Sequence, residues 1–145
     1  MSSSIHNITF DCVDPRALAR FWGAVTGWPV DEEPAPGYEE AAVGLRGQGQ
    51  PRLYFVAVPE GKAAKNRLHL DLDPADRRQQ EEVDRLLGLG ASVVSDRRPE
   101  YGWVILADPE GNEFCLELSH EEITELKERE KAEVAAKAAA ESLPG

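Results

Sequence analysis

The first part of the chain shows two hydrophobic periods in succession. Residues 7–12 alternate polar and apolar side chains, which is the period of a strand with two different faces. Apolar residues then recur at helical spacing over residues 17–25, after an Asp14-Pro15 pair that is typical of a helix N-terminus. Gly27 is placed to end this helix. The pattern therefore predicts a strand followed directly by a helix.

The same order of signals occurs again in the second half. Two strands over residues 37–46 and 51–58 complete the first half, and a loop follows them. A new alternating strand is predicted over residues 67–72, and Asp73-Pro74 is placed to open a helix that ends near Gly88 and Gly90. The remaining predicted elements are strands over residues 92–95, 103–107 and 113–118, with a turn over residues 108–111.

Aligning the two halves at an offset of 60 residues pairs polar residues of one strand with polar residues of the other: Asn7 with Arg67, Thr9 with His69 and Asp11 with Asp71. A repeated Asp-Pro helix start together with a repeated polar phase indicates duplication of a βαβββ module. The predicted fold class is therefore α+β, with two tandem modules.

The last part of the chain has a different composition. Ser119 to Glu122 forms a capping-box pattern, which opens a final helix of roughly twenty residues rich in Glu, Lys and Ala. Its apolar positions are sparse, so we expect it to pack weakly. We predict one domain over residues 1–118, with modules over 5–60 and 66–118, and an acidic C-terminal helix over 119–145.

Composition narrows the classes of partner. The chain has 145 residues, of which 41% are hydrophobic and 30% charged, and its net charge is −11. Such a charge repels phosphate backbones, so we expect neither nucleic acid nor an anionic membrane as a partner. No apolar run has the length of about 20 residues that a membrane span needs, and the start lacks signal-peptide features. We therefore expect a cytoplasmic protein.

Three segments together resemble a known superfamily. They are residues 8–15 with Phe21-Trp22, residues 66–74 and residues 108–117. In this order they resemble the vicinal-oxygen-chelate superfamily, which includes glyoxalase I, bleomycin-resistance proteins and extradiol dioxygenases. The likeness is greatest to its glyoxalase-like subgroup and covers residues 5–118. It implies a cup-shaped mixed sheet with the helices outside, a cavity for a small organic ligand and a homodimer.

Strand alternation assigns the two faces of this implied sheet. One face should pack on the helices, with Ile8, Phe10, Leu68, Leu70, Leu72, Phe114 and Leu116. The other face should line the cup, with Asn7, Thr9, Asp11, Arg67, His69, Asp71, Glu113, Cys115 and Glu117.

The resemblance also implies four inward positions that bind a divalent metal in the family. Here they fall on Asn7, Arg67, Cys115 and the segment 53–56, which contains Tyr54 and no carboxylate or imidazole. An arginine at a ligand position would repel a dication. We therefore predict that the standard metal site is absent and that no cofactor is needed, with a divalent metal on a different ligand set as the alternative.

His69 is the leading candidate for chemistry in the cup. An inward imidazole beside acidic residues is suited to general acid or base catalysis. The alternative is a structural histidine held by Asp71 or Glu117. A shifted metal site would use His69 with Glu117, and Asp11 as a further ligand.

Two other inward residues have a functional and a structural interpretation. Arg67 is suited to clamp a substrate carboxylate, or it forms an ion pair with Asp11 or Glu113. Cys115 would need His69 as a base to act as a nucleophile, and a buried inert thiol is the alternative. Cys12 and Cys115 do not suggest a disulfide scaffold.

Two functions of different class follow from these residues. The first is a metal-free protein that binds a small, anionic organic ligand, and the second is a glyoxalase- or dioxygenase-like lyase or isomerase that uses His69 or the shifted metal site. An interaction module using the acidic helix is a third. Tyr54 and Trp103 are expected as cavity walls. The predicted ligand-binding residues are Asn7, Asp11, Arg67, Asp71, Cys115, Glu117, Tyr54 and Trp103.

Overall fold

The computed structural model of the chain describes residues 2–32 and 39–144. In the first half it contains β1 Asn7–Cys12, α1 Pro15–Thr26, β2 Val30–Asp31, β3 Glu40–Val43 and β4 Arg52–Ala57. The second half contains β5 Asp71–Leu72, α2 Gln79–Leu89, β6 Ser92–Asp96, α3 Arg98–Tyr101, β7 Val104–Ala107 and β8 Glu113–Leu116, followed by α4 His120–Glu141. Residues 37 and 38 of the predicted strand over 37–46 lie outside the described residues. The short elements β2 and α3 were not predicted, because they span too few residues to show a period.

The strands form two four-stranded sheets with the same internal arrangement. The first sheet has the order β1-β4-β3-β2, and the second has the order β5-β8-β7-β6. In both sheets the first strand of the module pairs in parallel with the last. Asp11 lies opposite Val56 in the first sheet, and Asp71 lies opposite Cys115 in the second. Each aspartate is the last but one residue of the first strand of its module and pairs with the last strand of that module. The predicted α+β class with its tandem βαβββ repeat is confirmed.

Helix α1 begins and ends where the sequence predicts. Asp14 Oδ1 accepts a hydrogen bond from the Ala17 backbone N–H at 3.0 Å, and Pro15 is in the first turn. Gly27 ends the helix with a φ of 72°, in the left-handed region that favours glycine. The buried side of the helix packs on β3 and β4 and carries Leu18, Ala19, Phe21 and Trp22.

One hydrophobic core joins the helix-facing sides of both sheets. Trp22 of α1 packs edge-on against Phe114 of β8, with ring centroids 5.1 Å apart. Phe10 of β1 stacks on Phe55 of β4 at 5.3 Å. Full burial of a side chain such as Phe114 contributes roughly 1.5–3 kcal/mol. Because the core takes one face of each sheet, the polar residues of the strands are left on the opposite face.

A buried carboxylate connects the two halves. Asp108 is 3% exposed, and its Oδ2 accepts a hydrogen bond from Trp22 Nε1 at 3.1 Å. Its Oδ1 accepts hydrogen bonds from the backbone N–H groups of Glu110 and Asn112, both at 2.9 Å. The Glu110 carboxylate accepts hydrogen bonds at 2.6 and 3.0 Å from two backbone N–H groups just before α1. The turn over residues 108–111 is therefore a hairpin turn, as predicted, and its hydrogen bonds also connect the second half of the chain to the first.

The first strand of the second half is shorter than predicted. A strand was expected over residues 67–72, but only Asp71–Leu72 pairs with β8. Leu68, which was expected to face the helices, is 59% exposed. The ladder continues only as far as the hydrogen bond from the Cys115 N–H to the Leu70 carbonyl, at 2.9 Å. The next backbone donor of β8, the N–H of Glu113, donates to the side chain of Asn66 at 3.3 Å, so it is not available to extend the pairing toward residue 67.

Helix α2 also begins later than predicted. It starts at Gln79, not at Asp73-Pro74. Carboxylates satisfy the first backbone donors at this later point: the N–H of Arg78 donates to Glu81 at 2.9 Å, and the N–H of Gln79 donates to Glu122 at 3.0 Å. The prediction was wrong because one of these acceptors comes from the distant helix α4, which a local motif does not reveal.

Helix α4 is anchored at its N-terminus. The Glu122 backbone N–H donates to Ser119 Oγ at 3.2 Å, and the Ser119 N–H donates back to the Glu122 carboxylate at 3.0 Å, which confirms the capping box. Arg78 and Glu125 form an ion pair at 2.7 Å. No residue of the helix is buried. Within the described ranges, no helix combines the length and the apolar character that crossing a membrane requires.

Trp22→Phe should destabilise the fold, because the buried Asp108 carboxylate would lose its indole donor. Hydrogen bonds to charged groups contribute about 1.5–3 kcal/mol, so we expect the free energy of unfolding in urea to fall by about that amount. Trp28→Phe is the matched control, since the half-buried Trp28 indole makes no hydrogen bond to the described part of the chain. Equal losses in the two variants would contradict a connecting role for the Trp22–Asp108 bond.

Candidate functional site

The faces of the two sheets that lie opposite the core carry the candidate residues. Paired residues on neighbouring strands point to the same side of a sheet. In the first sheet Asn7 pairs with Arg52, Thr9 with Tyr54 and Asp11 with Val56. We call this side the first polar face. It contains three residues predicted to bind ligand (Asn7, Asp11 and Tyr54) and one charged residue that sequence reasoning missed (Arg52).

Arg52 is a buried cation beside a predicted ligand position. It is 5% exposed, and its Nε donates a hydrogen bond to Asn7 Oδ1 at 3.4 Å. The guanidinium carbon lies 5.4 Å from the centroid of the Tyr54 ring. Tyr54 donates its hydroxyl to the Glu40 carboxylate, and this hydrogen bond, with burial, raises the pKa of Tyr54. Strand alternation could have indicated Arg52, because residues 52, 54 and 56 point to the same side of the sheet and Tyr54 was predicted to line the cup.

This arrangement can be tested against the metal that the superfamily implies. Asn7 is the first-strand ligand position, and its side-chain oxygen already accepts a hydrogen bond from a guanidinium. A dication placed there would be repelled by the buried charge of Arg52. The first polar face therefore does not fit a standard divalent metal site.

The second polar face lies on the other sheet and brings three predicted residues together. Asp71 Oδ1 lies 3.1 Å from His69 Nδ1, and Cys115 Sγ lies 3.8 Å from the same nitrogen. An ionised carboxylate only accepts hydrogen bonds, so contact with Asp71 favours the neutral tautomer with hydrogen on Nδ1. The other ring nitrogen, Nε2, is then a free base. An oriented imidazole of this kind can accept a proton, accept a hydrogen bond or bind a metal.

These three side chains also have the composition of a metal-binding group. One ligand atom from each of His69, Asp71 and Cys115 lies within 4.8 Å of the others. An imidazole nitrogen, a carboxylate oxygen and a sulfur are the donor set that zinc accepts. The group shares His69 with the shifted set predicted from the sequence, but Asp71 and Cys115 stand in it in place of Glu117 and Asp11.

Electrostatics at this face keep the thiol protonated. Burial, followed by the negative charge of Asp71, raises the pKa of Cys115 to about 11. Burial, followed by the charges of Asp71 and Asp73, raises the pKa of Glu117. Thiolates, not thiols, are the nucleophiles. The structure therefore favours the inert-thiol interpretation of Cys115 over the nucleophile.

The other predicted residues lie around these two groups. Arg67 is exposed and has no ion pair with the described residues, whereas Glu113, its predicted partner, binds Lys65 at 2.7 Å. This contact lowers the pKa of Glu113. Asp11 is exposed on the first polar face.

Trp103 stacks on Tyr101, with the ring centroids 5.0 Å and the ring planes 20° apart. Trp103 lies two residues before Ile105, so the two side chains point to the same side of the sheet. Because Ile105 pairs with Cys115, Trp103 lies on the side of the second polar face.

The raised pKa of Cys115 should be visible in its reactivity. With a pKa near 11 instead of about 9, its thiolate fraction at pH 8 is about 100-fold lower, and alkylation by iodoacetamide should be slower by a similar factor. Asp71→Asn should speed the reaction, because it removes a negative charge beside the sulfur. Mass spectrometry of the alkylated peptide follows the rate, with Cys12, whose pKa is raised to about 12, as the internal control. A rate profile with a midpoint near neutral pH would instead show a thiolate–imidazolium pair.

Comparison with known proteins agrees with this fold. The glyoxalase-like domain family matches residues 7–117. The fosfomycin resistance protein FosX from Listeria monocytogenes is similar in structure, with a TM-score of 0.62 and 15% identity over 84% of this chain and 96% of that chain. A mutant of that FosX, complexed with Mn(II) and 1S,2S-dihydroxypropylphosphonic acid, has a TM-score of 0.61 and 16% identity, over 82% of this chain and 92% of that chain.

A third similar structure is a glyoxalase/bleomycin resistance protein/dioxygenase family enzyme from Burkholderia phytofirmans PsJN. It has a TM-score of 0.55 and 21% identity over 79% of this chain and 97% of that chain. No curated protein matches the sequence. At these identities the solved structures show the fold alone, whereas the family match covers most of the chain. The chain therefore belongs to the glyoxalase-like domain family.

Proposed function

We propose that this protein binds a small organic molecule on its polar faces without the standard metal site of the superfamily. The observation that carries the proposal is the hydrogen bond from the buried Arg52 guanidinium to Asn7, at 3.4 Å. A cation beside the residue at the implied ligand position supports polar side chains, and not a metal, as the groups that bind the molecule. The FosX complex with a phosphonic acid supports a small polar molecule as the class of ligand for this fold.

The second polar face supplies the directional contacts in this proposal. Asp71 holds the His69 ring, so that Nε2 meets the ligand in a fixed orientation. Glu117, whose carboxyl has a raised pKa, offers an acceptor, or a donor when protonated. Trp103, backed by Tyr101, provides a flat apolar surface beside these groups. The homodimer and the cytoplasmic location expected from the sequence belong to the same proposal.

His69→Ala should weaken ligand binding about tenfold, because a ring that is already oriented loses little entropy on binding. The measurement is a thermal-shift screen of small carboxylic, phosphonic and phenolic compounds, followed by calorimetric titration of the hits without added metal. His120→Ala is the matched control, since His120 is an exposed residue of α4. Hits that bind wild type, His69→Ala and His120→Ala equally would contradict a role for the second polar face.

A second candidate function is a metal-dependent lyase or isomerase. It is favoured by the approach of ligand atoms from His69, Asp71 and Cys115 to within 4.8 Å of one another. A metal held there would supply Lewis-acid polarisation of a substrate oxygen. In that case Glu117, which is not part of this group and whose carboxyl has a raised pKa, would hold or move the substrate proton.

Calorimetric titration with Zn²⁺ and optical titration with Co²⁺ separate the two functions. The metal-free proposal predicts no stoichiometric binding. The second candidate predicts stoichiometric binding with proton release from Cys115 and a thiolate-to-cobalt absorption band, both lost in Cys115→Ser. His120→Ala should leave the titrations unchanged in either case, so an effect of this control would indicate adventitious surface binding.

A further inference from the structure

A cleft at the start of β4 combines positive charge with an unused hydrogen-bond donor. It has a volume of about 240 Å³ and lies between the N-terminal segment 4–6 and the loop 45–50. Both Arg46 and Arg52 line it, and no carboxylate does so among the described residues. His6 adds an imidazole on the opposite wall. The local charge is therefore positive on a protein whose net charge is −11.

The guanidinium of Arg52 is only partly satisfied within the protein. Its Nε donates to Asn7, while its Nη2 is buried and has no acceptor in the described part of the chain. Arg52 also forms no ion pair with a described carboxylate. On the first polar face, Glu40 accepts the hydroxyl of Tyr54. A second cleft, of about 410 Å³, is lined by Arg46 and Arg52 together with the carboxylate of Asp31.

An arrangement of this kind is unfavourable unless something binds to it. A buried ionised group is costly when it is neither paired nor fully hydrogen-bonded. The Tyr54 ring face offsets part of this cost through a cation–π contact at 5.4 Å. It offers no acceptor for Nη2. A water molecule would supply an acceptor but no charge, whereas an oxyanion supplies both, and hydrogen bonds between ionised partners are the strong ones.

We propose that this cleft is a subsite for a small oxyanion, a carboxylate or a phosphate group, bound by Nη2 of Arg52 with Arg46 as a second source of positive charge. Because Asn7 occupies Nε, the anion would bind at the Nη end of the guanidinium and not at its Nε side. Arg46 is close enough to the polar face for its charge to lower the pKa of Tyr54, although burial and Glu40 outweigh it. In this subsite Arg52 would bind the anionic group of the ligand, a role that the sequence suggested for Arg67.

The subsite rests on the proposed function in one respect, because the anionic group would be part of the same small ligand. The cleft belongs to the first sheet, and its chemistry does not involve His69, Asp71 or Cys115. Free oxyanions therefore test it separately. Its failure would leave binding at the second polar face untouched, and loss of His69-dependent binding would leave the subsite untouched.

The experiment is a titration of the full chain with inorganic phosphate and, separately, with acetate, against sodium chloride at matched ionic strength. The arginine Nε–Hε signals in ¹⁵N-resolved NMR spectra report binding, and Arg52→Lys identifies the Arg52 signal by its disappearance. We expect a saturable shift of the Arg52 signal with phosphate, with acetate or with both. The probe that binds more tightly identifies the preferred oxyanion. Chloride should give no saturable shift.

Arg52→Lys should weaken binding of the preferred oxyanion about tenfold, because a lysine keeps the charge but loses the fork of the guanidinium. Arg129→Gln, at an exposed residue of α4, is the matched control and should bind as wild type does. Arg46→Gln tests the cleft without touching a buried residue, and it should weaken binding by a smaller factor. The proposal is overturned if the Arg52 signal of wild type does not respond to either oxyanion, or if Arg129→Gln loses affinity while Arg46→Gln does not.

Discussion

The buried Asp108 carboxylate is the contact on which the arrangement of the two sheets depends. It lies in the hairpin turn between β7 and β8, and it accepts the indole N–H of Trp22 from the helix of the other half. A carboxylate that is 3% exposed is tolerated only because several donors surround it. The donors are the backbone of its own turn, the side chain of Asn112 and the side chain of Trp22 in α1. The turn thereby fixes α1 between the sheets, and the core forms on one side of each sheet.

The chemistry of the protein follows from this geometry. With one side of each sheet committed to the core, the alternating residues of β1, β4, β5 and β8 lie on the opposite side, where the polar groups collect. The two halves of a duplicated module have diverged there. The first polar face has a buried cation at Arg52, and the second has an imidazole among Asp71, Cys115 and Glu117. This division suits a ligand that carries both an anionic group and hydrogen-bonding groups more than it suits a metal ligated by both sheets.

Local patterns in the sequence predicted much of the fold. Asp14-Pro15 and Gly27 mark the ends of α1, and the capping box marks the start of α4, because these signals act over a few residues. The equivalence of Asp11 and Asp71 was also readable, since it needs only a constant offset. The start of α2 was not readable, because Glu122 of a distant helix provides an acceptor there. The shortness of β5 depends on the side chain of Asn66, which accepts the Glu113 backbone N–H that a longer ladder would use.

The candidate site was predictable to a similar extent. Alternation placed His69, Asp71 and Cys115 on one side of a strand pair, and the structure brings them together. It could not show that Asp71 and Cys115 approach the same nitrogen of His69, because that depends on side-chain conformation. Residues 52 and 54 share a phase, so alternation places Arg52 on the same side as Tyr54, but it does not distinguish a buried cation from an exposed one. The burial of Arg52, and the lack of an acceptor for its Nη2 among the described residues, are properties of packing alone.

The proposed function has a guanidinium in place of metal ligation on the first sheet. Elemental analysis of untagged protein, purified from medium supplemented with manganese, iron, nickel and zinc, tests it by comparing wild type with Asn7→Ala. We expect the same metal content in both proteins, because Asn7 binds Arg52 and not a metal. A stoichiometric metal in wild type that is lost in Asn7→Ala would show instead that Asn7 is a metal ligand.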